Sequence, residues 1–219
     1  MTTPSISIED YLGAIYRMEP INRQPLPLVE LQQHFGFSPI SIHEMIQKLV
    51  QRGLAEYIPY KGVRLSDTGR NTAAALVRRH RIWECFLANE LKVPIDEAHH
   101  LAHDLEHAAP DWITERLFEH IGEPESCPHG SEITEQALSN VDIPLTDCET
   151  GRFYRLTRIS PENNQSLKLA RQYGLFPGET VRIIDHIENY FSVEINGSDK
   201  NVQSEELAYF WGTEISNGA

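Results

Sequence analysis

The 219-residue chain has few cysteines, no long apolar run and a shortage of positive charge. Its three cysteines, Cys85, Cys127 and Cys148, are odd in number and show no CxxC spacing, which argues against a disulfide framework or a zinc ribbon. No apolar run approaches the roughly 20 residues that span a bilayer, and the amino terminus lacks the features of a secretory signal. We therefore expect a cytoplasmic protein without a membrane segment.

The shortage of positive charge is confined to one part of the chain. The net charge is −13, which by itself argues against a nucleic-acid partner. However, residues 1–82 contain ten Lys and Arg against seven Asp and Glu, whereas residues 83–219 contain nine against twenty-five. The amino-terminal third remains suited to DNA, and its binding should weaken as salt rises.

The first 65 residues predict three helices followed by a β-hairpin. Apolar residues recur at helical spacing over residues 8–18, 28–35 and 38–53. Ser38 is a good N-cap for the third helix, and Pro39 suits its first position. Residues 54–58 and 63–65 alternate as strands around a Pro-Tyr-Lys-Gly turn. This order of elements is typical of a winged helix-turn-helix.

The remainder of the chain predicts a helical region and then a region of strands. Helical patterns extend from about Thr68 to Leu91, from Glu97 to Ala108 with Asp96 as N-cap, and from Asp111 to Ile121. Residues 123–148 have little periodicity and are interpreted as a linker. Strand-like runs over residues 153–156, 180–184 and 190–195 predict a small β-barrel. We expect a mainly α fold with three domains: 1–72, 73–148 and 149–219.

Histidines and carboxylates are concentrated in the predicted helical domain. The second helix of this region carries four of them on one face, at i, i+4, i+7 and i+8: His99, His103, Glu106 and His107. His80 and Glu84 repeat the i, i+4 spacing on the preceding helix. Imidazole combined with carboxylate suits first-row divalent metals. A solvated, histidine-rich helix is the alternative, but six potential ligands in two clusters favour a metal site.

Two other interpretations stay open from the residues alone. His103-Asp-Leu-Glu106-His107 fits the H-x-x-E-H pattern of a zinc hydrolase, in which two histidines hold zinc and the glutamate is the general base. The five-residue pattern is weak, and no third ligand or substrate cleft can be argued from the sequence. A metal-independent winged-helix regulator whose histidines sense pH is the other possibility.

The chain resembles the diphtheria toxin repressor family of iron- and manganese-dependent regulators over nearly its whole length. The resemblance rests on Glu9-Asp10-Tyr11-Leu12, Ser38 to Leu49, Leu65-Ser-Asp-Thr-Gly-Arg70, Arg79-His80-Arg81, Glu84, His99, His103-x-x-Glu106-His107, Pro128-His129-Gly130 and Gly174-Leu-Phe-Pro-Gly178. It implies a DNA-binding winged helix, a helical metal-binding and dimerisation domain, and a carboxyl-terminal SH3-like (FeoA-type) domain. It also implies no enzymatic activity.

The resemblance assigns metal ligands residue by residue. It implies an ancillary site of His80, Glu84 and His99, and a primary site of Asp10, His103, Glu106 and His107. Glu162 and Gln165 have the spacing of two ligands that the third domain of the family donates, although a polar loop with no metal role fits them equally. Iron sensors of the family have sulfur in the primary site and the manganese branch has carboxylates where this chain has Gly13 and His103. We expect Mn(II) or Fe(II), with Zn(II) or Co(II) possible.

The expected DNA-reading surface surrounds the third helix and the hairpin. The residues that lie away from the apolar face or carry positive charge there are Ser38, Pro39, Ser41, Glu44, Lys48, Arg52, Lys61 and Arg64. The resemblance implies a homodimer that binds palindromic double-stranded operator DNA when loaded with metal and represses metal-homeostasis genes. Asp10 is on the first helix, so a metal held by Asp10 and His103 would restrain the DNA-binding domain.

Overall fold

The protein is described by a computed structural model that covers residues 8–19, 23–133 and 142–215. The chain forms two compact units, residues 1–78 and residues 79–219. The α-helices of the described residues are α1 (Ile8–Met18), α2 (Leu28–Phe35), α3 (Pro39–Gln51), α4 (Asp67–Cys85), α5 (Ile95–Ala108), α6 (Asp111–His120), α7 (Asn164–Tyr173) and α8 (Ser204–Leu207). The strands are β1 (Ala55–Ile58), β2 (Gly62–Leu65), β3 (Ile143–Pro144), β4 (Phe153–Ile159), β5 (Thr180–Ile187), β6 (Tyr190–Ile195), β7 (Ser198–Gln203) and β8 (Phe210–Ile215).

The first unit contains the predicted winged helix-turn-helix. Helix α2 ends at Gly36, whose φ of 69° is the left-handed conformation that glycine adopts without strain. Helix α3 starts as predicted, because the Ser38 hydroxyl accepts a hydrogen bond from the backbone N–H of Ser41 and Pro39 follows at the first position. Strands β1 and β2 form the antiparallel hairpin. The apolar face of α3, formed by Ile42, Ile46 and Leu49, is fully buried in the core of this unit.

The helical part of the second unit differs from prediction in two details. The helix expected to extend to about Leu91 ends at Glu90, and its last five residues, Phe86–Glu90, form a π-helical segment that the Leu91 N–H closes by donating to the Phe86 carbonyl. Asp96 is not an N-cap, because α5 begins one residue earlier, at Ile95, with Pro94 in the cap position. Asp96 lies in the first turn, where a carboxylate favours the helix dipole, and pairs with Arg171 at 3.0 Å.

Within the segment interpreted as a linker, residues 123–148, the described residues form turns, a two-residue strand and a short 3-10 turn that are hydrogen-bonded to the rest of the unit. Residues 127–131 form a tight turn, in which the Cys127 N–H donates to the Ser131 carbonyl at 2.8 Å. The Ile159 N–H of β4 donates to the His129 carbonyl at 3.0 Å and fixes this turn to the sheet. Strand β3 follows later in the segment and pairs with β8. Only residues 134–141 of the predicted linker lie outside the described part.

The carboxyl-terminal part of the second unit is an antiparallel sheet of six described strands in the order β3-β8-β4-β5-β6-β7. Its core is apolar and includes Leu145 and Cys148, which precede the expected domain boundary at residue 149. Helix α7 begins near the end of the segment 161–165, for which a polar loop was one of two interpretations, because Asn163 caps the helix in a reciprocal capping box with Ser166. Among the described residues, none of the helices is long and apolar enough to cross a bilayer.

Candidate metal centre

Helices α4 and α5 bring together the three residues of the predicted ancillary site. His80 and Glu84 are one turn apart on α4 and are fully buried. His99 of α5 faces them: its Nδ1 lies 2.7 Å from Glu84 Oε1 and 3.0 Å from His80 Nε2. His80 Nε2 lies 2.8 Å from the same carboxylate oxygen. Three potential ligand atoms therefore converge on one point.

The other oxygen of Glu84 faces ligands from two further segments. Its Oε2 is 3.2 Å from His129 Nδ1, which lies 2.7 Å from Glu162 Oε1. Cys127 Sγ lies 3.7 Å from His129 Nδ1 and 3.5 Å from Glu162 Oε1. These four residues each offer a ligand atom within 4.8 Å of the others. We call the whole set the Glu84 cluster: His80, Glu84, His99, Cys127, His129 and Glu162.

Sequence reasoning missed two members of this cluster. Cys127 and His129 lie in the segment interpreted as a linker, and the Pro128-His129-Gly130 run contributes only to the family resemblance. The available signal was the Cys-Pro-His-Gly run itself, which places a thiol and an imidazole two residues apart before a glycine. Glu162 joins the cluster, whereas Gln165 is exposed at the start of α7 and its role as a ligand stays a prediction.

The charges of the Glu84 cluster fit a divalent cation. Burial alone would lower the pKa of His80, but Glu84 and Glu106 raise it to about 9. Burial and Glu84 would raise the pKa of Glu162, but His129 lowers it to about 2. Without metal, protons on imidazoles thus neutralise the buried carboxylates, and a cation would replace those protons. His129 Nε2 is also buried with no hydrogen-bond partner among the described residues.

Cys127 adds a sulfur donor that alters the expected ligand chemistry. Burial and the nearby carboxylates of Glu162 and Glu84 raise the pKa of Cys127 to about 12, so the thiol is protonated without metal. A bound cation would stabilise the thiolate. The Glu84 cluster, which contains the predicted ancillary site, thus combines oxygen, nitrogen and sulfur, a set that first-row transition metals accept.

A second set of ligands is centred on Glu106 of α5. Its carboxylate is buried, and Oε1 lies 3.0 Å from His103 Nδ1 and 3.3 Å from His107 Nε2. Oε2 lies 2.8 Å from Nδ1 of His80. The helical spacing seen in the sequence therefore brings the imidazoles of His103 and His107 to the same oxygen of Glu106. We call His103, Glu106 and His107 the Glu106 cluster. The fourth residue of the predicted primary site, Asp10, lies half-buried in the first turn of α1 in the other unit.

All eight residues predicted to contact DNA are exposed in the first unit. They are Ser38, Pro39, Ser41, Glu44, Lys48, Arg52, Lys61 and Arg64. Ser38 and Ser41 also bond to one another at 2.9 Å, and Arg64 pairs with Glu56 at 2.5 Å across the hairpin. Ile40, which was not predicted, is a large apolar side chain left 71% exposed at the start of α3.

Comparison with known proteins decides the family. Residues 3–63 match the family model of the iron-dependent repressor N-terminal DNA-binding domain. Residues 66–135 match the family model of the iron-dependent repressor metal-binding and dimerisation domain. An uncharacterized HTH-type transcriptional regulator of Methanocaldococcus jannaschii is 35% identical over 113 residues, which are 52% of this chain and 90% of that protein. The chain belongs to the iron-dependent repressor family.

Solved structures of this family share the fold over nearly the full length. A manganese-dependent transcriptional repressor in complex with manganese is 30% identical, with a TM-score of 0.82, and the match covers 95% of this chain and 100% of that one. ScaR with bound Zn²⁺ is 27% identical, with a TM-score of 0.81 over 96% and 100% of the two chains. The diphtheria toxin repressor of Corynebacterium diphtheriae is 25% identical over 205 residues, covering 87% and 89%.

Membership of the iron-dependent repressor family removes the hydrolase interpretation. The family consists of transcriptional repressors and not of enzymes. The structure gives the physical counterpart, because the carboxylate of Glu106, which would have to act as a general base, is surrounded by His80, His103 and His107. The H-x-x-E-H segment is therefore a coincidence of helical ligand spacing.

Proposed function

We propose that the protein is a transcriptional repressor that binds palindromic operator DNA as a homodimer when loaded with a divalent transition metal, and that it controls metal-homeostasis genes in the cytoplasm. The observation that carries this proposal is the Glu84 cluster. It buries two carboxylates among imidazoles and a thiol, in two groups that share Glu84 and within each of which the ligand atoms lie within 4.8 Å of one another. The family of the protein joins a DNA-binding domain to a metal-binding domain.

A cation in the Glu84 cluster would link separate segments of the chain. His80 and Glu84 come from α4, His99 from α5, and Glu162 from the segment between β4 and α7. Cys127 and His129 come from the turn that follows α6. When bound, the cation supplies the positive charge that the protonated imidazoles otherwise provide. Metal would thereby stabilise the arrangement of the helical part and the sheet of this unit.

The donor set supports Mn(II) or Fe(II) as the cognate metal and allows Zn(II) and Co(II). Buried carboxylates suit the harder ions, while imidazole and the Cys127 thiolate bind Zn(II) and Co(II) more tightly by the Irving–Williams order. Relatives described as manganese-dependent and a relative with bound Zn²⁺ show that this fold accepts both kinds of ion. Availability in the cell, rather than affinity, would then select the metal.

The family resemblance suggests that Asp10 is a fourth ligand to the metal of the Glu106 cluster. Asp10 belongs to the DNA-binding unit, so this ligation would restrain the reading helix α3. Coupling of this kind is typically worth about 1–3 kcal/mol, or roughly 5- to 150-fold in operator affinity. Two reading helices held at a fixed spacing in a symmetric dimer would match a palindrome.

Operator binding at controlled free metal tests the function. We expect affinity to rise with Mn(II), Fe(II), Co(II) or Zn(II) under anaerobic conditions and to fall in excess chelator, at constant pH. Glu84→Gln should lose this response, whereas Glu119→Gln, which alters an exposed glutamate of α6, should keep it.

The double variant Asp10→Ala with His103→Ala tests whether metal restrains α3, because it removes two of the proposed ligands of the Glu106 cluster. Equal affinity with and without metal would contradict the proposal, and a response to pH alone would favour a metal-independent regulator.

A further inference from the structure

The tip of the β1–β2 hairpin carries an exposed tyrosine in a strained backbone conformation. Tyr60 lies between Pro59 and Lys61, and the Lys61 N–H closes the turn by donating to the Ile58 carbonyl at 3.0 Å. The relative exposure of Tyr60 is 106%, so its ring is surrounded by solvent. Its φ is 64°, a left-handed conformation that glycine and asparagine adopt much more readily than an aromatic residue.

Packing within the hairpin does not explain why a tyrosine occupies this position. A side chain that is fully exposed buries little apolar surface, so Tyr60 does not offset the backbone strain by packing. Residues that are held in such conformations are concentrated at functional sites. Tyr60 is therefore a candidate for contact with a partner.

The tip is held in place relative to α3 within the first unit. Leu26, which precedes α2, pairs with Val63 of β2 through two hydrogen bonds of 2.8 and 2.9 Å. Gly62 lies so close to this segment that a Cβ there would be 2.0 Å from the Leu26 carbonyl oxygen. On the other side of the hairpin, the ring centroids of His43 in α3 and Tyr57 in β1 are 5.3 Å apart. A partner that binds α3 would therefore meet Tyr60 at a defined distance from that helix.

The surroundings of Tyr60 fit duplex DNA as this partner. Lys61 is exposed beside it, Arg64 is exposed on β2, and residues 1–82 have a positive charge balance. When a helix such as α3 reads the major groove, a hairpin fixed beside it faces the adjacent minor groove. The minor groove is about 6 Å wide and admits single side chains, which in several DNA-binding proteins are apolar.

We propose that the ring of Tyr60 enters the minor groove next to the bases that α3 reads, and that it selects against G·C pairs there. This inference rests on the proposed function, namely that the first unit binds operator DNA. A G·C pair carries the guanine N2 amino group in the minor groove, where an A·T pair presents only acceptors. A ring that enters the groove would meet this amino group. Lys61 would add a phosphate contact, which does not distinguish sequences.

Replacement of single base pairs in the operator tests the proposal, with the full-length protein loaded with Mn(II). Each pair of an operator selected from random duplexes is changed in turn to G·C and to inosine·cytosine, which lacks the N2 amino group. For the wild type, we expect two symmetric positions at which G·C weakens binding by about fivefold or more relative to inosine·cytosine. Tyr60→Asn should bind the two duplexes equally. Absence of such positions, or the same discrimination in Tyr60→Asn, would overturn the proposal.

Three further variants separate the ring from the charge of the hairpin. Tyr60→Phe retains the ring and should retain the discrimination. Lys61→Ala should weaken binding to every duplex and lower the salt slope by about one, while G·C and inosine·cytosine remain distinguished. Tyr190→Asn changes an exposed tyrosine of the second unit and should behave as the wild type. Loss of discrimination in Tyr190→Asn or Lys61→Ala would contradict a specific role of the Tyr60 ring.

Urea unfolding distinguishes contact with DNA from a structural role. Asparagine tolerates the φ of this position, so Tyr60→Asn should unfold at the same or a higher urea concentration than the wild type. A lower urea midpoint with unchanged base discrimination would identify Tyr60 as a structural residue and overturn the inference. A wild type that binds its operator without distinguishing G·C from inosine·cytosine would overturn the inference alone. Failure of the metal-loaded wild type to bind any duplex would overturn the proposed function as well.

Discussion

At the scale of single residues, Glu84 determines the arrangement of the candidate centre. Its Oε1 faces His80 and His99, and its Oε2 faces His129. Burial alone would raise the pKa of this carboxyl, but His129 and His80 hold it well below its usual value. Without metal, one buried anion therefore depends on imidazoles from three segments, which makes the stability of the metal-free protein sensitive to pH.

We predict that the metal-free protein becomes less stable as the pH rises from 6.5 to 9. The pKa of His80 is about 9 in the folded protein and about 6.5 in an unfolded chain. A raised pKa gives stability that is complete below the unfolded value and is lost as the pH passes through the folded value. The loss can reach roughly 3 kcal/mol, since one pKa unit corresponds to about 1.4 kcal/mol. Urea unfolding in excess chelator measures it.

The control for this pH dependence is His80→Gln. The variant removes the titrating group, so its free energy of unfolding should change less with pH over the same interval, whatever its absolute stability. A wild-type protein whose unfolding free energy is constant between pH 6.5 and 9 would show that His80 does not hold its proton as the geometry indicates.

We predict that Cys127→Ser changes metal preference. Thiolate favours Zn(II) and Co(II), whereas Mn(II) accepts an oxygen ligand more readily. Because loss of even an outer-shell partner costs about tenfold or more, Zn(II) affinity should fall by at least that factor and Mn(II) affinity by less. The Co(II) complex should also lose its sulfur-to-metal charge-transfer absorption.

Cys148→Ser provides the matched control for this substitution. Cys148 is also a free, buried cysteine, but it packs in the core of the sheet and its thiol donates to the Pro144 carbonyl. We expect this variant to keep the metal preference and the Co(II) absorption of the wild type. An unchanged Co(II) spectrum in Cys127→Ser would show that the sulfur is not a ligand.

At the scale of elements, the turn over residues 127–131 positions two of the ligands. Gly130 has a φ of 83°, and a Cβ at this position would lie 1.9 Å from the Thr157 carbonyl oxygen of β4. The turn can therefore approach the sheet only with glycine at position 130. His129 reaches Glu84 and Glu162 because of this close approach.

We predict that Gly130→Ala weakens metal binding although it changes no ligand. The added methyl group would push the turn away from β4 and move His129. Gly122→Ala is a closely matched control, because Gly122 has a φ of 82° and an added Cβ would have none of the described atoms within 4 Å. Both variants carry the same backbone strain, so a larger loss of metal affinity in Gly130→Ala isolates the displacement. Equal losses would show that the close approach has no role.

The elements also show what the sequence could and could not predict. Helix α3 was predictable because Ser38, Pro39 and an apolar face of period 3.6 are all local signals. Strand β7 was not, because its sequence Ser-Asp-Lys-Asn-Val-Gln is almost entirely polar and, among the described strands, it pairs with β6 alone at the edge of the sheet. The same limit applies to the site: His80 and Glu84 are neighbours on one helix, whereas His129 meets Glu84 only through tertiary folding.

At the scale of the whole molecule, positive and negative charge are unevenly distributed along the chain, and we expect this to orient the protein as it associates with DNA. Residues 1–82 have a balance of +3 and residues 83–219 a balance of −16. A DNA duplex is therefore attracted to one part of the chain and repelled by the other. This asymmetry should favour a single orientation of encounter, with an association rate that falls as the ionic strength rises.

We predict that Lys48→Ala reduces the dependence of operator affinity on salt. Loss of one phosphate contact should lower the slope of log affinity against log salt by about one and weaken binding to all sequences alike. Lys168→Ala, which removes an exposed lysine of α7 in the acidic unit, is the control and should leave the slope unchanged. An unaltered slope in Lys48→Ala would remove this lysine from the DNA contacts.

The pairing of β3 with β8 has a consequence for the modular history of the chain. These strands are the first and last of the sheet, and Pro144 lies opposite Trp211. The chain therefore enters and leaves this sheet at one place, which is the geometry that allows a folded module to be acquired, lost or transplanted without threading through its neighbours. Shuffling of this kind would let a repressor gain Glu162 as a ligand in one step, and a graft of residues 142–215 onto a host loop with closely spaced ends should keep its fold.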